Sequence, residues 1–151
     1  MTAFEEPGEV RFIEADKTYP LRLEVLRPGR APEAARFPGD DHPATRHLGA
    51  FRAGALLGIA SLFRVELPER PGPAAYQLRG MATAPEAQKT GLGRLLLLAC
   101  VEYARGNGAA ILWCNARTSA LGFYRKSGFE IIGDQFEIPD VGPHFRMLFK
   151  L

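Results

Sequence analysis

Gln88-Lys89-Thr90-Gly91-Leu92-Gly93-Arg94 leads directly into the apolar run Leu95-Leu96-Leu97-Leu98-Ala99-Cys100-Val101. Ahead of it stands Ala75-Tyr76-Gln77-Leu78-Arg79-Gly80-Met81-Ala82-Thr83, which reads as a strand, and then the break Ala84-Pro85-Glu86. A strand, a turn with two glycines and a helix that starts at those glycines make a phosphate site. The first N–H groups of a helix have no intrahelical partner, and the macrodipole adds positive potential to them. Glycine lets an anion approach the backbone closely. Lys89 and Arg94 flank the turn and add formal charge.

The rest of the chain reads outward from this turn. Upstream, residues 10–15 suggest a strand and residues 19–26 a helix with Pro20 in its first turn. The stretch 30–45, rich in Pro, Gly, Asp and Arg, reads as a loop with one helical turn near 32–37. Residues 47–52 and 56–65 form a hairpin around Ala53-Gly54, followed by a Pro-rich loop at 67–73. The long helix runs from about Thr90 to Arg105, with Leu92, Leu95, Leu96, Ala99 and Tyr103 as its buried stripe, and Gly106-Asn107-Gly108 ends it.

Downstream, the apolar run 109–114 has strand length and suits a central position buried on both faces. Ser119 is the expected N-cap of a short helix to Lys126, which Gly128 ends. Two last strands, 129–138 and 145–151, flank Pro139-Asp140-Val141-Gly142-Pro143. The expected architecture is an α/β fold with one mixed sheet of about seven strands and helices on both faces, as a single domain over 1–151.

Composition narrows the class. The 151 residues are 46% hydrophobic and 24% charged, ordinary globular usage, and the net charge of +2 is too mild for a nucleic-acid surface. Cys100 and Cys114 lack metal or redox spacing and read as buried free thiols of a reducing cytoplasm. The three histidines have no metal-ligand spacing, so no metal is expected. No apolar run reaches the ~20 residues of a membrane span, and the start of the chain lacks the look of a secretory signal. Edge strands and the last hairpin leave room for a homodimer.

Three phosphate patterns compete for the turn. A P-loop needs a glycine immediately before Lys89, which is absent. A dinucleotide fingerprint needs a third glycine at position 96, where Leu stands, and an acid about 20 residues on, where Ala110-Ile111-Leu112-Trp113 offers none. The pattern Q/R-x-x-G-x-G/A is met in full by Gln88 to Gly93.

With that pattern the chain resembles the GNAT superfamily of acyl-CoA-dependent N-acyltransferases. Ala120-Leu121-Gly122-Phe123-Tyr124-Arg125-Lys126-Ser127-Gly128-Phe129 looks like the family's A-x-x-F-Y-x-K-x-G-F segment. The likeness is clear over residues 75–132, and element order agrees over 10–151. Gly142-Pro143-His144-Phe145-Arg146-Met147 is also similar to the ending of some small bacterial members.

The resemblance implies acetyl-CoA as co-substrate and an amine as acceptor. It implies that Gln88, Lys89, Thr90, Gly91, Leu92, Gly93 and Arg94 hold the pyrophosphate. Met81, Ala82 and Thr83 would meet the pantetheine and thioester through their backbone, and Asn115 would bond the pantetheine from the other side. Tyr124 is the implied general acid for the leaving thiolate, since a phenol stays protonated at neutral pH. The base is less marked. Residues 75–83 hold no acid of the kind many members use, so Glu66 and His144 are the candidates, with a water relay as a third route. That missing carboxylate keeps a second function in view, an acyl-CoA-binding module without turnover. Acceptor-facing residues are sought among Arg22, Arg27, Arg30, Arg36, Asp40, Asp41, Glu66, Glu69, Arg70 and His144, whose mixed charges read first as a solvated surface.

Overall fold

A computed structural model describes residues 7–151. Seven strands are ordered β1-β2-β3-β4-β5-β7-β6. They are β1 (Glu9–Ile13), β2 (Arg46–Arg52), β3 (Ala55–Phe63), β4 (Ala75–Thr83), β5 (Ile111–Arg117), β6 (Glu130–Ile138) and β7 (Gly142–Lys150). The pairing of β4 with β5 is parallel, whereas β1–β2, β2–β3, β5–β7 and β6–β7 are antiparallel, so the expected mixed sheet is present. The described residues form two compact units, one comprising residues 7–63 with Arg79–Glu102, the other Arg64–Leu78 with Tyr103–Leu151.

In the first unit, Ala53 and Gly54 close the β2–β3 hairpin with φ of 48° and 80°. Positive φ at both turn residues matches the twist of the flanking strands. The predicted helix at 19–26 is regular only over α1 (Tyr19–Leu21) and continues as a wider π turn, Arg22–Leu26, closed by Arg27 N–H donating to the Arg22 carbonyl at 2.9 Å. α1 packs Leu21 on Ile59 and Ala84. On the opposite face, next to Gly58, lies Leu96 of α2 (Leu92–Gly106). Neighbouring strand residues point to opposite faces, so Ile59 and Gly58 put the two helices on the two sides of β3.

The buried stripe of α2 differs from the expected one. Leu92, Leu96, Leu97, Cys100, Val101 and Ala104 are buried, whereas Leu95 is 38% exposed and Ala99 and Tyr103 are only partly covered. Four consecutive leucines leave the helical phase open, and Cys100 with Ala104 sets it.

The largest departure from expectation is a buried polar cluster. Arg22 is 0% exposed and donates to both oxygens of Asp40 at 2.7 and 3.0 Å, to the Ala35 carbonyl at 2.8 Å and to Ser61 Oγ at 2.9 Å. His47 Nε2 lies 2.9 Å from the Asp40 carbonyl oxygen and must carry its proton there, while Nδ1 lies 2.7 Å from Ser61 Oγ. Arg22 and Asp40 are therefore interior residues and not the solvated surface pair that their sequence context suggests. Burial pushes the Asp40 carboxyl up. The Arg22 hydrogen bonds, the Phe37 N–H and the positive charge of Arg22 outweigh it, with His47 adding to them, and hold it below the usual carboxylate range.

In the second unit, Trp113, Leu148, Ala75 and Ile111 pack against Leu67 of the β3–β4 connection, and Trp113 Nε1–H donates to the Val65 carbonyl at 2.9 Å. α3 (Leu121–Lys126) follows a 3-10 turn, Thr118–Ala120. Ser119 lies inside that turn, and neither the turn nor α3 has a side-chain cap, so the N-cap assigned to Ser119 is corrected. Tyr124, Phe129 and Phe149 make a chain of ring contacts on the side of the sheet opposite Leu148. β7 begins three residues before the expected strand, at Gly142, because its first residues pair with β6.

The Arg22–Asp40 pair gives a stability test. With its folded pKa depressed, Asp40 contributes stability above the ordinary carboxylate pKa of about 4, and that contribution is lost as pH falls through the folded value. D40N leaves the Arg22 charge buried without its counterion and should lower the unfolding free energy in urea at pH 7 by about 3–5 kcal/mol. It should also flatten the acid limb of stability against pH. A loss below about 1 kcal/mol, the scale of an exposed pair, would contradict the interior reading.

Candidate functional site

The turn before α2 is built from local bonds. Ala84 N–H donates to Leu57 O at 2.8 Å, and Ala87 N–H to Ala84 O at 2.9 Å through a 3-10 turn, Pro85–Ala87. Lys89 then takes φ 62°, an uncommon value for a side chain with Cβ, and Gly91 takes φ 89°. A Cβ at Gly91 would meet nothing within 4 Å, so the glycine serves backbone shape and leaves open space in front of the turn. Leu95 N–H bonds Gly91 O at 3.1 Å, which makes Gly91 the residue at the helix cap.

Among the described residues, none of the six consecutive N–H groups from Lys89 to Arg94 donates to another protein group. The Gln88 N–H is the boundary, with a long bond of 3.4 Å to Pro85 O. Six unused donors at the positive end of a 15-residue helix form an anion seat. The exposed Lys89 and Arg94 flank it.

A residue absent from the sequence reading sets the shape of this seat. Arg52, at the end of β2, donates to Thr90 Oγ1 at 2.6 Å and to Thr90 O at 3.1 Å. Thr90 Oγ1 in turn donates to Ala87 O at 2.6 Å. Arg52 therefore clamps the middle of the turn and brings a third cation to it. Gln88 Nε2 reaches back to Thr83 O at 3.1 Å, joining the turn to the end of β4.

β4 is irregular just ahead of Met81, where Gly80 has φ 62° inside the strand. A Cβ there would stand 2.9 Å from the Phe37 ring and 3.3 Å from Arg22 Nε, so only glycine fits. The β4–β5 ladder ends at Leu78 and Cys114. Met81, Ala82 and Thr83 follow the irregularity.

The remaining expected site residues lie in the second unit. Asn115 pairs with Arg146 across the β5–β7 ladder, and its Oδ1 accepts from Arg146 Nε at 3.1 Å. Arg146 also bonds Glu69 and lies over the Trp113 ring, 5.0 Å from its centroid. His144 is 3% exposed, and its Nδ1 is 2.7 Å from Gly142 O. A carbonyl only accepts, so Nδ1 holds a proton, and in the neutral imidazole Nε2 is the nitrogen with the lone pair. Phe136 stacks on the ring at 6.0 Å.

Tyr124 is 7% exposed on α3, edge-on to Phe123 and Phe129. Asn115 and His144 share one face of the β5–β7 ladder with Arg146, while α3 packs on the other through Phe129 and Phe149. Glu66 is exposed, and its carboxylate accepts the Gly72 N–H of its own loop. Burial pushes the Cys100 and Cys114 thiols up to about 12, so neither supplies a thiolate near neutral pH. No group of three or more metal-ligating side chains occurs among the described residues. No described helix is long and apolar enough to cross a membrane.

The clamp on the turn yields a binding test. R52M should weaken acetyl-CoA in calorimetric titration by about tenfold, the worth of one charge-assisted contact. It should leave an acetyl-pantetheine thioester that lacks the nucleotide unaffected. Unchanged acetyl-CoA affinity in R52M would remove Arg52 from the account.

Comparison with known proteins gives concordant matches. The acetyltransferase (GNAT) family matches over residues 12–129. The uncharacterised N-acetyltransferase YitI of Bacillus subtilis is 34% identical over 139 residues, covering 92% of this chain and 93% of its own. The N-alpha-acetyltransferase RimI of Mycobacterium tuberculosis is 31% identical over 116 residues, 67% of this chain and 70% of its own. The solved IAA acetyltransferase of Bacillus cereus shares the fold, with TM-score 0.71 at 20% identity over 96% of this chain and 100% of that one. By the extent of the family match and the identity to these relatives, the chain belongs to the acetyltransferase (GNAT) family.

Proposed function

We propose a division of labour for the residues of this N-acetyltransferase, which moves an acetyl group from acetyl-CoA to an amine. The observation that carries it is the run of unused N–H groups from Lys89 to Arg94, with Arg52, Lys89 and Arg94 around them. These groups hold the cofactor's pyrophosphate, and no metal is required. The backbone of Met81, Ala82 and Thr83 and the side chain of Asn115 hold the pantetheine. A β4 N–H near Met81 or Ala82 stabilises the oxyanion of the tetrahedral intermediate.

The neutral amine attacks the thioester carbonyl directly. His144 Nε2, the nitrogen left free in the neutral imidazole when Nδ1–H bonds Gly142 O, takes the amine proton, and we prefer it to Glu66, whose carboxylate is engaged in its own loop. The C–S bond breaks as the C–N bond is completed, and the Tyr124 hydroxyl protonates the departing thiolate. The inert buried cysteines support direct transfer over an acyl-enzyme. Relatives that carry the name N-acetyltransferase favour turnover over a module that only binds acyl-CoA. Cys100 and Cys114 are free, which fits a reducing compartment, and we assign the enzyme to the cytoplasm.

The test is CoA release from acetyl-CoA across a panel of amines, with the N-acetyl product identified by mass spectrometry. Y124F should lower kcat for an unactivated amine by about 10²-fold or more, the usual worth of a general acid, while acetyl-CoA affinity is retained. Full kcat in Y124F would remove the acid role. Acetyl-CoA binding with no acetylated product from any amine would overturn the transfer itself.

A further inference from the structure

Arg79 is the one charged residue of β4. Its guanidinium carbon lies 4.7 Å from the Phe37 ring centroid and 5.4 Å from that of Phe63. Rings against a guanidinium leave its N–H donors in the plane, at the edge. Among the described residues, those donors make no hydrogen bond and no ion pair.

The neighbouring groups do not neutralise it. The one carboxylate of the cluster, Asp40, is taken by two nitrogens of Arg22 and by the Phe37 N–H. Two guanidinium groups thus stand near one carboxylate, which only Arg22 of the two engages, a local excess of positive charge in a half-buried place. Burial, and then the charge of Arg22, lower the Arg79 pKa, with Asp40 only partly opposing them. An unpaired cation partly withdrawn from water is costly to keep, and a ligand that brings the counterion relieves that cost.

Arg79 also has a telling position. It precedes Met81 by two residues on the same strand, a distance of at most about 7 Å. A compact amino acid spans that distance once one hydrogen-bond length is added.

Resting on the acetyltransferase reading above, we infer that the acceptor amine carries a carboxylate and that the edge of the Arg79 guanidinium binds it. Arg79 is then a specificity residue, which selects amino acids and related amino carboxylates over neutral amines. The arrangement of Phe37 and Phe63 keeps the fork planar and ready for two-point binding.

The test compares L-amino acids with their carboxamides as acceptors for wild type, R79M and R79K. R79M keeps the side chain's apolar length between the rings, and acetyl-CoA affinity reports that the protein is intact. In wild type the best acid should exceed its amide in kcat/KM by about tenfold or more. R79M should erase that ratio, mainly through KM, and R79K should restore part of it. Equal use of acid and amide by wild type, or a preference that survives in R79M, would overturn the inference. A preference confined to glucosamine 6-phosphate over glucosamine and lost in R79M would assign a phosphate to Arg79 and overturn the carboxylate. Direct titration of N-acetylamino acids into CoA-saturated protein separates this claim from turnover. Binding by wild type and its loss in R79M sustain the Arg79 assignment even where no acetyl transfer occurs, and no binding to wild type refutes it.

Discussion

Among the described residues, six neighbouring backbone N–H groups at the head of α2 have no protein acceptor, and the turn that carries them is held from several sides. Lys89 and Gly91 adopt positive φ to present them, and Arg52 fixes Thr90 from across the hairpin. Gln88 ties the same turn to the end of β4. A hydrophobic side chain could not substitute for any of these roles, because the donors need an anion or water. The apolar stripe of α2, from Leu92 to Ala104, anchors the helix whose positive end carries these donors.

The second constraint is a buried charge cluster beside Gly80 of β4. Arg22, Asp40, Ser61 and His47 form a connected network with almost every donor paired; Arg22 Nε is the exception. A buried ion pair is weak evidence for stability, since apolar replacement often does as well. Its effect here is positional. Arg22 and Phe37 stand against Gly80, where a Cβ would collide with both, and the irregular backbone at Gly80 precedes the strand segment that the thioester is proposed to meet. Among the described residues, the same cluster leaves the Arg79 charge only partly offset, by Asp40.

Local chemistry was the legible part of the sequence. The phosphate turn, the segment around Tyr124 and the seven strands depend on residue types at short spacings, and the structure has those elements in that order. What escaped reading depends on partners far along the chain. Arg52 and Thr90 are 38 positions apart, and Arg22 and Asp40 are 18 apart in segments that look like solvated loops. The phase of α2 was hidden by four adjacent leucines. Arg79 could have been noticed, as a lone charge in an otherwise apolar and neutral strand. The roles of Tyr124 and Asn115 came from likeness to a family, while His144 and Glu66 were the bases left by a missing carboxylate; the structure adds the bond from His144 Nδ1 to Gly142 O and that between Asn115 and Arg146.

The most direct measurement is an amide proton–nitrogen NMR titration of the isotope-labelled protein with acetyl-CoA. The account predicts that the resonances of Lys89 through Arg94 shift saturably, and further than those of the helix interior, as their N–H groups gain phosphate oxygens. Saturable acetyl-CoA binding that leaves those six resonances in place would contradict it.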